Sequence, residues 1–164
     1  MTATVIALGS NLGDRREMLV SALNALDAHA ELSVTAVSSA YESAAVKPSG
    51  VDPTAPEYLN AVALVESGLS APELLTLLMQ IERDHGRERT ERWGDRTLDL
   101  DIIDFGGQVF DTDDLVLPHP RAIERAFVLA PWAEVDPHAQ TAGLSVRELA
   151  IRLSDDIRPV GALR

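Results

Sequence analysis

Two aspartates stand close together in a largely apolar stretch of the chain. Asp99 and Asp101 fall within a run of leucine, isoleucine and phenylalanine that predicts a strand over 97–105. Because successive strand residues point to opposite faces, both carboxylates project from one face and the neighbouring leucines from the other. Mg²⁺ takes oxygen ligands from one or two carboxylates together with water and substrate phosphates. The pair therefore indicates a magnesium site, and an exposed strand face with scattered acids is the alternative.

A cluster of arginines precedes this strand. Guanidinium groups hold phosphate oxygens through charge-assisted, often bidentate hydrogen bonds, so the cluster indicates binding of a phosphorylated ligand. Acidic residues interleave with the arginines, and a solvated charged loop is the alternative. Trp93 favours binding, because an isolated indole in a polar loop needs a surface or a ligand to cover it. The arginines are Arg87, Arg89, Arg92 and Arg96.

An imidazole and an amide could add to such a site. His119 lies between two prolines and is followed by Arg125, although a structural histidine would fit the same segment. Asn60 stands on a strand predicted to begin at Tyr58 and offers a donor and an acceptor to a heterocyclic amide; pairing with neighbouring backbone is the alternative. The glycine-containing turn 9–13 suits a nearby anion, but it lacks the spacing of a Walker loop or a dinucleotide fingerprint.

The elements that must position these groups follow the order βαββαβ. Hydrophobic periodicity and capping signals predict them in turn. They are a first strand before Gly9, a helix over 14–29, a strand over 33–41, a long loop over 42–57, a strand over 58–66, a helix starting at Ser70 with Glu73 as its capping partner, and the strand over 97–105. This order is typical of an α+β, ferredoxin-like fold with helices on one face of the sheet. A C-terminal extension follows, with a last helix capped by Ser145.

Length and composition limit the class of protein. The 164 residues fit one domain over 1–164, and the formal charge of -12 disfavours general binding to nucleic acid. The chain has no cysteine, which excludes a disulfide framework and indicates a reducing compartment, the cytoplasm. No apolar run approaches the length of a membrane span, and the N-terminus is typical of a strand rather than a signal peptide. We expect a monomer that acts on small molecules.

Taken together, the motifs resemble the 6-hydroxymethyl-7,8-dihydropterin pyrophosphokinase family in order and spacing. The similarity extends from residue 4 to about residue 132. The most specific block runs from Arg92-Trp93-Gly94 to Asp99-Leu100-Asp101. The other matching motifs are Ala7-Leu8-Gly9-Ser10-Asn11-Leu12-Gly13, Tyr58-Leu59-Asn60 and Pro118-His119-Pro120-Arg121 with Arg125 and Phe127.

The resemblance implies a transferase of folate biosynthesis that moves pyrophosphate from ATP to a pterin alcohol. It implies that Asp99 and Asp101 bind two Mg²⁺ ions that bridge the ATP phosphates and the pterin hydroxymethyl group. It further implies that the pterin stacks between Tyr58 and Phe127, with Asn60 at its amide edge. The residues that would contact phosphates or order the loop over them are Arg87, Arg89, Arg92, Trp93, Arg96, His119 and Arg125, and of these Arg87 and Arg96 would act in catalysis with the two aspartates.

Two positions depart from the family's pattern. Ser43-Ala44-Ala45 stands where the family often has a Thr-Pro-Pro-like run, and Asp95 adds a negative charge inside the arginine segment. Two other functions fit the same residues: another Mg-dependent phosphoryl or nucleotidyl transferase on this scaffold, and a non-catalytic ferredoxin-like sensor. AMP as product would indicate pyrophosphoryl transfer, ADP an ordinary kinase and free pyrophosphate a nucleotidyl transferase, whereas absence of turnover would indicate the sensor.

Overall fold

A computed structural model describes residues 1–43, 46–47, 50–51, 57–86, 98–153 and 157–164. Its strands are β1 (Thr2–Ser10), β2 (Leu32–Val37), β3 (Ser39–Ser43), β4 (Val46–Lys47), β5 (Gly50–Val51), β6 (Tyr58–Ser67), β7 (Asp99–Phe105), β8 (Phe110–Asp111), β9 (Val116–Leu117), β10 (Gln140–Thr141), β11 (Leu144–Ser145) and β12 (Ile157–Ala162). Its helices are α1 (Arg15–Ala28), α2 (Ala71–Asp84), α3 (Ala126–Val135) and α4 (Val146–Arg152), with a 3-10 turn at Ala122–Glu124. None of these described helices is long and apolar enough to cross a membrane.

The main sheet is antiparallel, with the order β12-β3-β6-β1-β7, and β2 also pairs with β6. The interior strand β1 pairs with β6 on one side and with β7 on the other. Three two-stranded sheets, β4-β5, β8-β9 and β10-β11, complete the described strands. The fold is therefore a mixed α and β arrangement built around one larger sheet.

The strand predicted over 33–41 is not continuous. It is interrupted at Ser38, and the second half extends as β3 to Ser43. Ser38 is buried, its backbone N–H donates to Val62 O at 2.9 Å, and its hydroxyl accepts from the Val62 N–H at 2.9 Å. The Ser38 hydroxyl thus takes the place of one backbone acceptor in the strand pairing. The β-branched composition of the segment did not indicate this interruption.

The helix starts follow the predicted caps. Asp14 accepts from the Glu17 N–H at 3.0 Å before α1, and Ser70 and Glu73 form a reciprocal capping box before α2. Ser145 caps α4 by accepting from the Glu148 N–H at 3.3 Å. These side chains satisfy N–H groups that have no partner within the helix, which fixes where each helix begins.

The two helices of the βαββαβ order, α1 and α2, lie on one face of the sheet as expected, whereas the opposite face is covered by α3, which the sequence did not predict. One core joins α1 and α2 to Ile6, Leu8 and Leu100. A second core joins α3 to Val5, Val62 and Ile103 on the opposite face, around the fully buried Trp132. The sequence Ala-Phe-Val-Leu-Ala-Pro-Trp is apolar on all sides, and its weak periodicity hid the helix α3.

The C-terminal extension returns to the sheet. β12 pairs antiparallel with β3 at the sheet edge, and Leu163 is buried in the same core as α1 and α2. Arg16 donates to Ala162 O at 2.6 Å, and Arg164 pairs with Asp27 at 3.5 Å. These contacts attach the end of the chain to the N-terminal helix.

We expect Leu163→Ala to lower the free energy of unfolding by about 2 to 4 kcal/mol, because it removes a buried side chain and leaves a cavity. Val160→Ala is the matched control on the same segment, since Val160 is 47% exposed, and it should change stability by less than about 0.5 kcal/mol. Urea unfolding of both variants measures the difference. Equal, small effects would show that the C-terminal residues do not belong to the cooperative core.

Candidate active site

Strand β7 presents its two aspartates on one face of the sheet and its leucines on the other, as the sequence predicts. Leu98, Leu100 and Ile102 are buried in the core with α1 and α2, whereas Asp99 and Asp101 are half-buried and share the opposite face with Ile103. Alternation along β7 therefore places both carboxylates on the α3 side of the sheet.

A row of residues crosses the sheet at the level of Asp99. In the strand register Asp99 lies beside Gly9, Gly9 beside Asn60, and Asn60 beside Tyr41. A Cβ atom on Gly9 would lie 3.4 Å from Asn60 Oδ1 and 3.6 Å from Tyr58 Cδ1. A larger side chain at Gly9 would therefore occupy the space between the carboxylate and the amide. The next row pairs Asp101 with Ala7 and Ala7 with Val62, again with a small residue in the middle.

The amide of Asn60 is held by its neighbours. Its Nδ2 donates to Ser43 Oγ at 2.7 Å and to Tyr41 O at 3.2 Å, and its side chain is buried. The alternative left open by the sequence, pairing with neighbouring groups, is thus realised for the amide nitrogen. These bonds orient Oδ1 toward the Gly9 side of the row.

Arg125 lies at the N-terminus of α3 and faces the aspartates. Burial lowers the pKa of Arg125 below its usual value, while the charges of Asp101 and Asp99 act to raise it. Its Cζ atom lies 5.6 Å from the ring centroid of Phe127, within the range of a cation–π contact. Phe127 in turn packs partly against the core beneath α3.

His119 is held at the outer edge of β7. Its backbone N–H donates to Ile103 O at 3.0 Å, and its Nδ1 accepts from the Arg121 N–H at 3.2 Å. Burial and the charges of Arg125 and Arg121 lower the pKa of His119 to about 4. A ring that accepts at Nδ1 while neutral carries its proton on Nε2, so His119 offers a neutral N–H donor.

Sequence reasoning missed Glu82, which supports the aspartate strand from below. Glu82 is buried near the end of α2, and its Oε2 accepts from the Leu100 N–H at 2.9 Å. Leu100 stands between the two aspartates. The signal was present as a carboxylate within the buried stripe of α2, beside Leu78 and Ile81.

Several predicted site residues lie outside the described part of the chain: Arg87, Arg89, Arg92, Trp93 and Arg96, together with Asp95. Tyr58 and Phe127 are described, and both lie on the α3 side of the sheet, at the start of β6 and in the first turn of α3. Of the twelve site residues predicted, the structure therefore brings seven to one face: Asp99, Asp101, His119, Arg125, Tyr58, Asn60 and Phe127.

The donor chemistry of this face fits magnesium. Two carboxylates on adjacent rows offer hard oxygen ligands, and the described residues contain no group of three histidine, cysteine or acidic side chains arranged to hold a metal alone. A cation held here would thus need ligands from a substrate, which is how Mg²⁺ binds with phosphates. Asp99 and Asp101 are the residues that would hold it.

Carboxylates beside a half-buried guanidinium and a neutral imidazole are side chains suited to a metal ion and phosphate groups. The class of protein that this arrangement fits is a metal-dependent phosphoryl-transferring enzyme. Residues 5–137 match the family described as 7,8-dihydro-6-hydroxymethylpterin-pyrophosphokinase (HPPK), and the chain belongs to this family.

Curated relatives agree over most of their length. The chain is 48% identical over 130 residues to the 2-amino-4-hydroxy-6-hydroxymethyldihydropteridine pyrophosphokinase of Bacillus subtilis, covering 79% of this chain and 75% of that protein. It is 42% identical over 135 residues to the same enzyme of Haemophilus influenzae, covering 82% of each.

Solved structures share the fold. An HPPK-DHPS in complex with substrates aligns with a TM-score of 0.70 at 10% identity, over 92% of this chain and 43% of that one. A wild-type Plasmodium falciparum HPPK-DHPS with pteroate aligns with a TM-score of 0.70 at 11% identity, over 92% and 44%. The chain thus spans less than half of these longer proteins.

We expect His119 to make stability depend on pH. Because the pKa of His119 is about 4 in the folded protein and about 6.5 in the unfolded chain, the unfolded state binds the extra proton between these values. The free energy of unfolding should therefore fall as the pH drops from about 6.5 to about 4, and His119→Gln should remove this part of the slope. Urea unfolding across that range measures it, and an NMR titration of His119 near pH 6.5 in the folded protein would contradict it.

Proposed function

We propose that the face carrying Asp99, Asp101 and Asn60 is the active site for the reaction of the family. The chain is an ATP-dependent pterin pyrophosphokinase, a transferase that moves pyrophosphate from ATP to hydroxymethyldihydropterin in folate synthesis. The observation that supports this assignment is the row Asp99, Gly9 and Asn60, in which the Asp99 carboxylate, the proposed metal ligand, and the Asn60 amide, the proposed pterin contact, stand on either side of a glycine.

The reaction joins the pterin hydroxymethyl oxygen to the β-phosphorus of ATP and breaks the bond from that phosphorus to the oxygen bridging to the α-phosphorus. AMP leaves with the bridging oxygen, and the hydroxyl proton passes to solvent. Asp99 and Asp101 would hold two Mg²⁺ ions, which when bound lower the pKa of the hydroxyl and neutralise charge on the phosphates. The protein's main contribution is to position two substrates in line.

Arg125 and His119 would bind phosphate oxygens beside the aspartates. The guanidinium supplies charge at the N-terminus of α3, and the two aspartates favour its charged form despite burial. The neutral His119 ring supplies a donor at Nε2 and adds no second positive charge next to Arg125. This combination binds an oxyanion without acting as a strong general base.

The pterin would bind at the Tyr58 end of the same face. Its ring would lie between Tyr58 and Phe127, and Asn60 Oδ1 would accept from the amide edge, since Nδ2 is occupied by Ser43 and Tyr41. Stacking between two aromatic rings suits a flat heterocycle. The absence of a side chain at Gly9 leaves room between this end and the aspartates.

The arginine segment would complete the phosphate site. From the family resemblance, Arg89, Arg92 and Trp93 would bind ATP, and Arg87 and Arg96 would contact the transferred group. The position of the arginine segment in the sequence supports this role, because Arg96 is only three residues before Asp99, the first residue of β7.

Three broader features belong to the same proposal. The strand order β2/β3-β6-β1-β7 with α1 and α2 between strands supports a ferredoxin-like βαββαβ core. The burial of Leu163 in the core of β1 supports one domain over 1–164. The cysteine-free composition supports a cytoplasmic enzyme, which we expect to act as a monomer.

We expect Asp99→Ala and Asp101→Ala each to lower kcat by at least about a hundredfold, equivalent to about 2.7 kcal/mol of barrier. Metal placement is lost, whereas pterin binding depends on other groups and should change little. Asp104→Asn is the matched control on β7, because Asp104 accepts from the Gly107 N–H in the following turn and lies away from the Gly9 row. Steady-state kinetics at varied Mg²⁺, following AMP, measures the effect. A folded Asp99→Ala or Asp101→Ala enzyme with near-normal kcat would disprove the metal site, and ADP as product would disprove pyrophosphoryl transfer.

We expect Tyr58→Ala and Phe127→Ala each to weaken pterin binding while leaving Mg-ATP binding nearly intact. The loss should be at least the roughly 0.5 to 1.5 kcal/mol typical of aromatic pairs, with lost burial added. Calorimetric titration with pterin and with a non-hydrolysable ATP analogue measures both affinities. Equal losses for the two ligands would mean that the rings support the core instead of the pterin.

A further inference from the structure

The last strand of the chain contacts the Tyr58 end of the site, although it lies beyond the matched residues 5–137. Arg158, on β12, donates from Nη2 to Glu57 Oε2 at 2.9 Å, and the same nitrogen donates to Glu42 Oε2. Glu57 is the residue immediately before Tyr58, and Glu42 lies on β3. One guanidinium thus bridges two carboxylates that are 15 positions apart in sequence.

A second arginine contacts the same two residues. Arg15, the first residue of α1, donates from Nη2 to Glu42 Oε1 at 3.0 Å and from Nη1 to Glu57 O at 2.9 Å. We call Arg15, Glu42, Glu57 and Arg158 the bridging network. Its two positive and two negative side chains join α1, β3, β12 and the start of β6.

The bridging network lies next to the residues that would contact the pterin. Arg15, Glu42 and Glu57 line a cavity of about 420 Å³ with Asn11, Leu12 and Gly13, at the end of β1 that also carries Gly9. Glu42 stands between Tyr41 and Ser43, whose oxygens accept the hydrogen bonds from Asn60. A displacement of Glu42 or Glu57 would therefore move the supports of Asn60 and Tyr58 directly.

We propose that Arg158 is a positioning residue for the pterin: by bridging Glu42 and Glu57 it holds β3 and the start of β6 in the register that presents Tyr58 and Asn60. The proposal rests on the proposed function, because it takes the pterin to bind at these two residues. The proposal gives the C-terminal strand β12 a role in substrate binding.

Charge explains why the bridge matters. Without Arg158, the Glu57 carboxylate would lose the hydrogen bond from that guanidinium, because Arg15 donates to the backbone oxygen of Glu57 and to the carboxylate of Glu42. Like charges left together favour separation, which would loosen the backbone just before Tyr58. Asp99 and Asp101 lie on β7, and Arg125 lies at the N-terminus of α3, away from the bridging network. The affinities for metal and phosphate should therefore stay unchanged.

The test compares Arg158→Ala with Arg158→Lys and with the control Arg164→Ala. Arg164 belongs to the same C-terminal segment but pairs with Asp27 on α1. We expect Arg158→Ala to raise the KM for pterin by about two- to fivefold, the range that an exposed ion pair supports. The KM for ATP and kcat should stay unchanged, Arg158→Lys should retain most of the function, and Arg164→Ala should leave the pterin KM unaltered.

Tyr58→Ala in the same assays separates the two proposals. If Tyr58→Ala raises the pterin KM and Arg158→Ala does not, the positioning role is overturned and the pterin site stands. If Tyr58→Ala leaves the pterin KM unchanged, the pterin site itself is overturned. Equal rises in both KM values, or a loss of thermal stability without any change in pterin KM, would assign Arg158 a purely structural role.

Discussion

The alternation of β7 between two cores is the constraint on which the site depends. Leu98, Leu100 and Ile102 are buried against α1 and α2, which places Asp99 and Asp101 on the opposite face. Burying three such side chains contributes about 5 to 9 kcal/mol, whereas two carboxylates about 7 Å apart repel by about 0.6 to 2.4 kcal/mol between the limits of water and a protein surface. Burial therefore decides the register, and a slip of one residue would turn both carboxylates into the core.

Strand β7 is also an edge of the sheet, since in the described sheet it pairs with β1 alone. An edge strand leaves half of its backbone groups without a strand partner. Glu82 supplies an acceptor for one of them, the Leu100 N–H between the aspartates, from a buried position on α2. A carboxylate accepting a backbone N–H in a low-dielectric setting forms a strong, oriented bond. The edge is thus held from below by one helix, while Arg125 on another faces the carboxylates above.

Local sequence signals predicted the elements that have their own capping and periodicity. The Asp14 cap and the Ser70 capping box fix the starts of α1 and α2, and the apolar alternation of 97–105 gives the correct face for both carboxylates. The break at Ser38 and the helix α3 were missed for a shared reason: each depends on a long-range partner. The Ser38 hydroxyl replaces one backbone acceptor in the pairing with Val62, and α3 is apolar all round because it is sandwiched between the sheet and α4. Neither partner can be read from the adjacent residues.

A chain of formal charge -12 can bind the anion ATP because dissolved salt limits electrostatic interactions to a short range. At physiological ionic strength exposed charges are screened over about 8 Å, so the acids on distant surfaces have little influence at the site. The charges of Arg125 and Arg121 both act on the imidazole of His119, so positive charge is concentrated locally beside it. Partial burial strengthens the attraction between Arg125 and a bound anion, because fewer water molecules compete for the guanidinium. The negative net charge therefore disfavours binding of long polyanions but not of a single nucleotide, and the position of Arg125 near Asp99 and Asp101 would give such a ligand a cation on one side and carboxylates on the other.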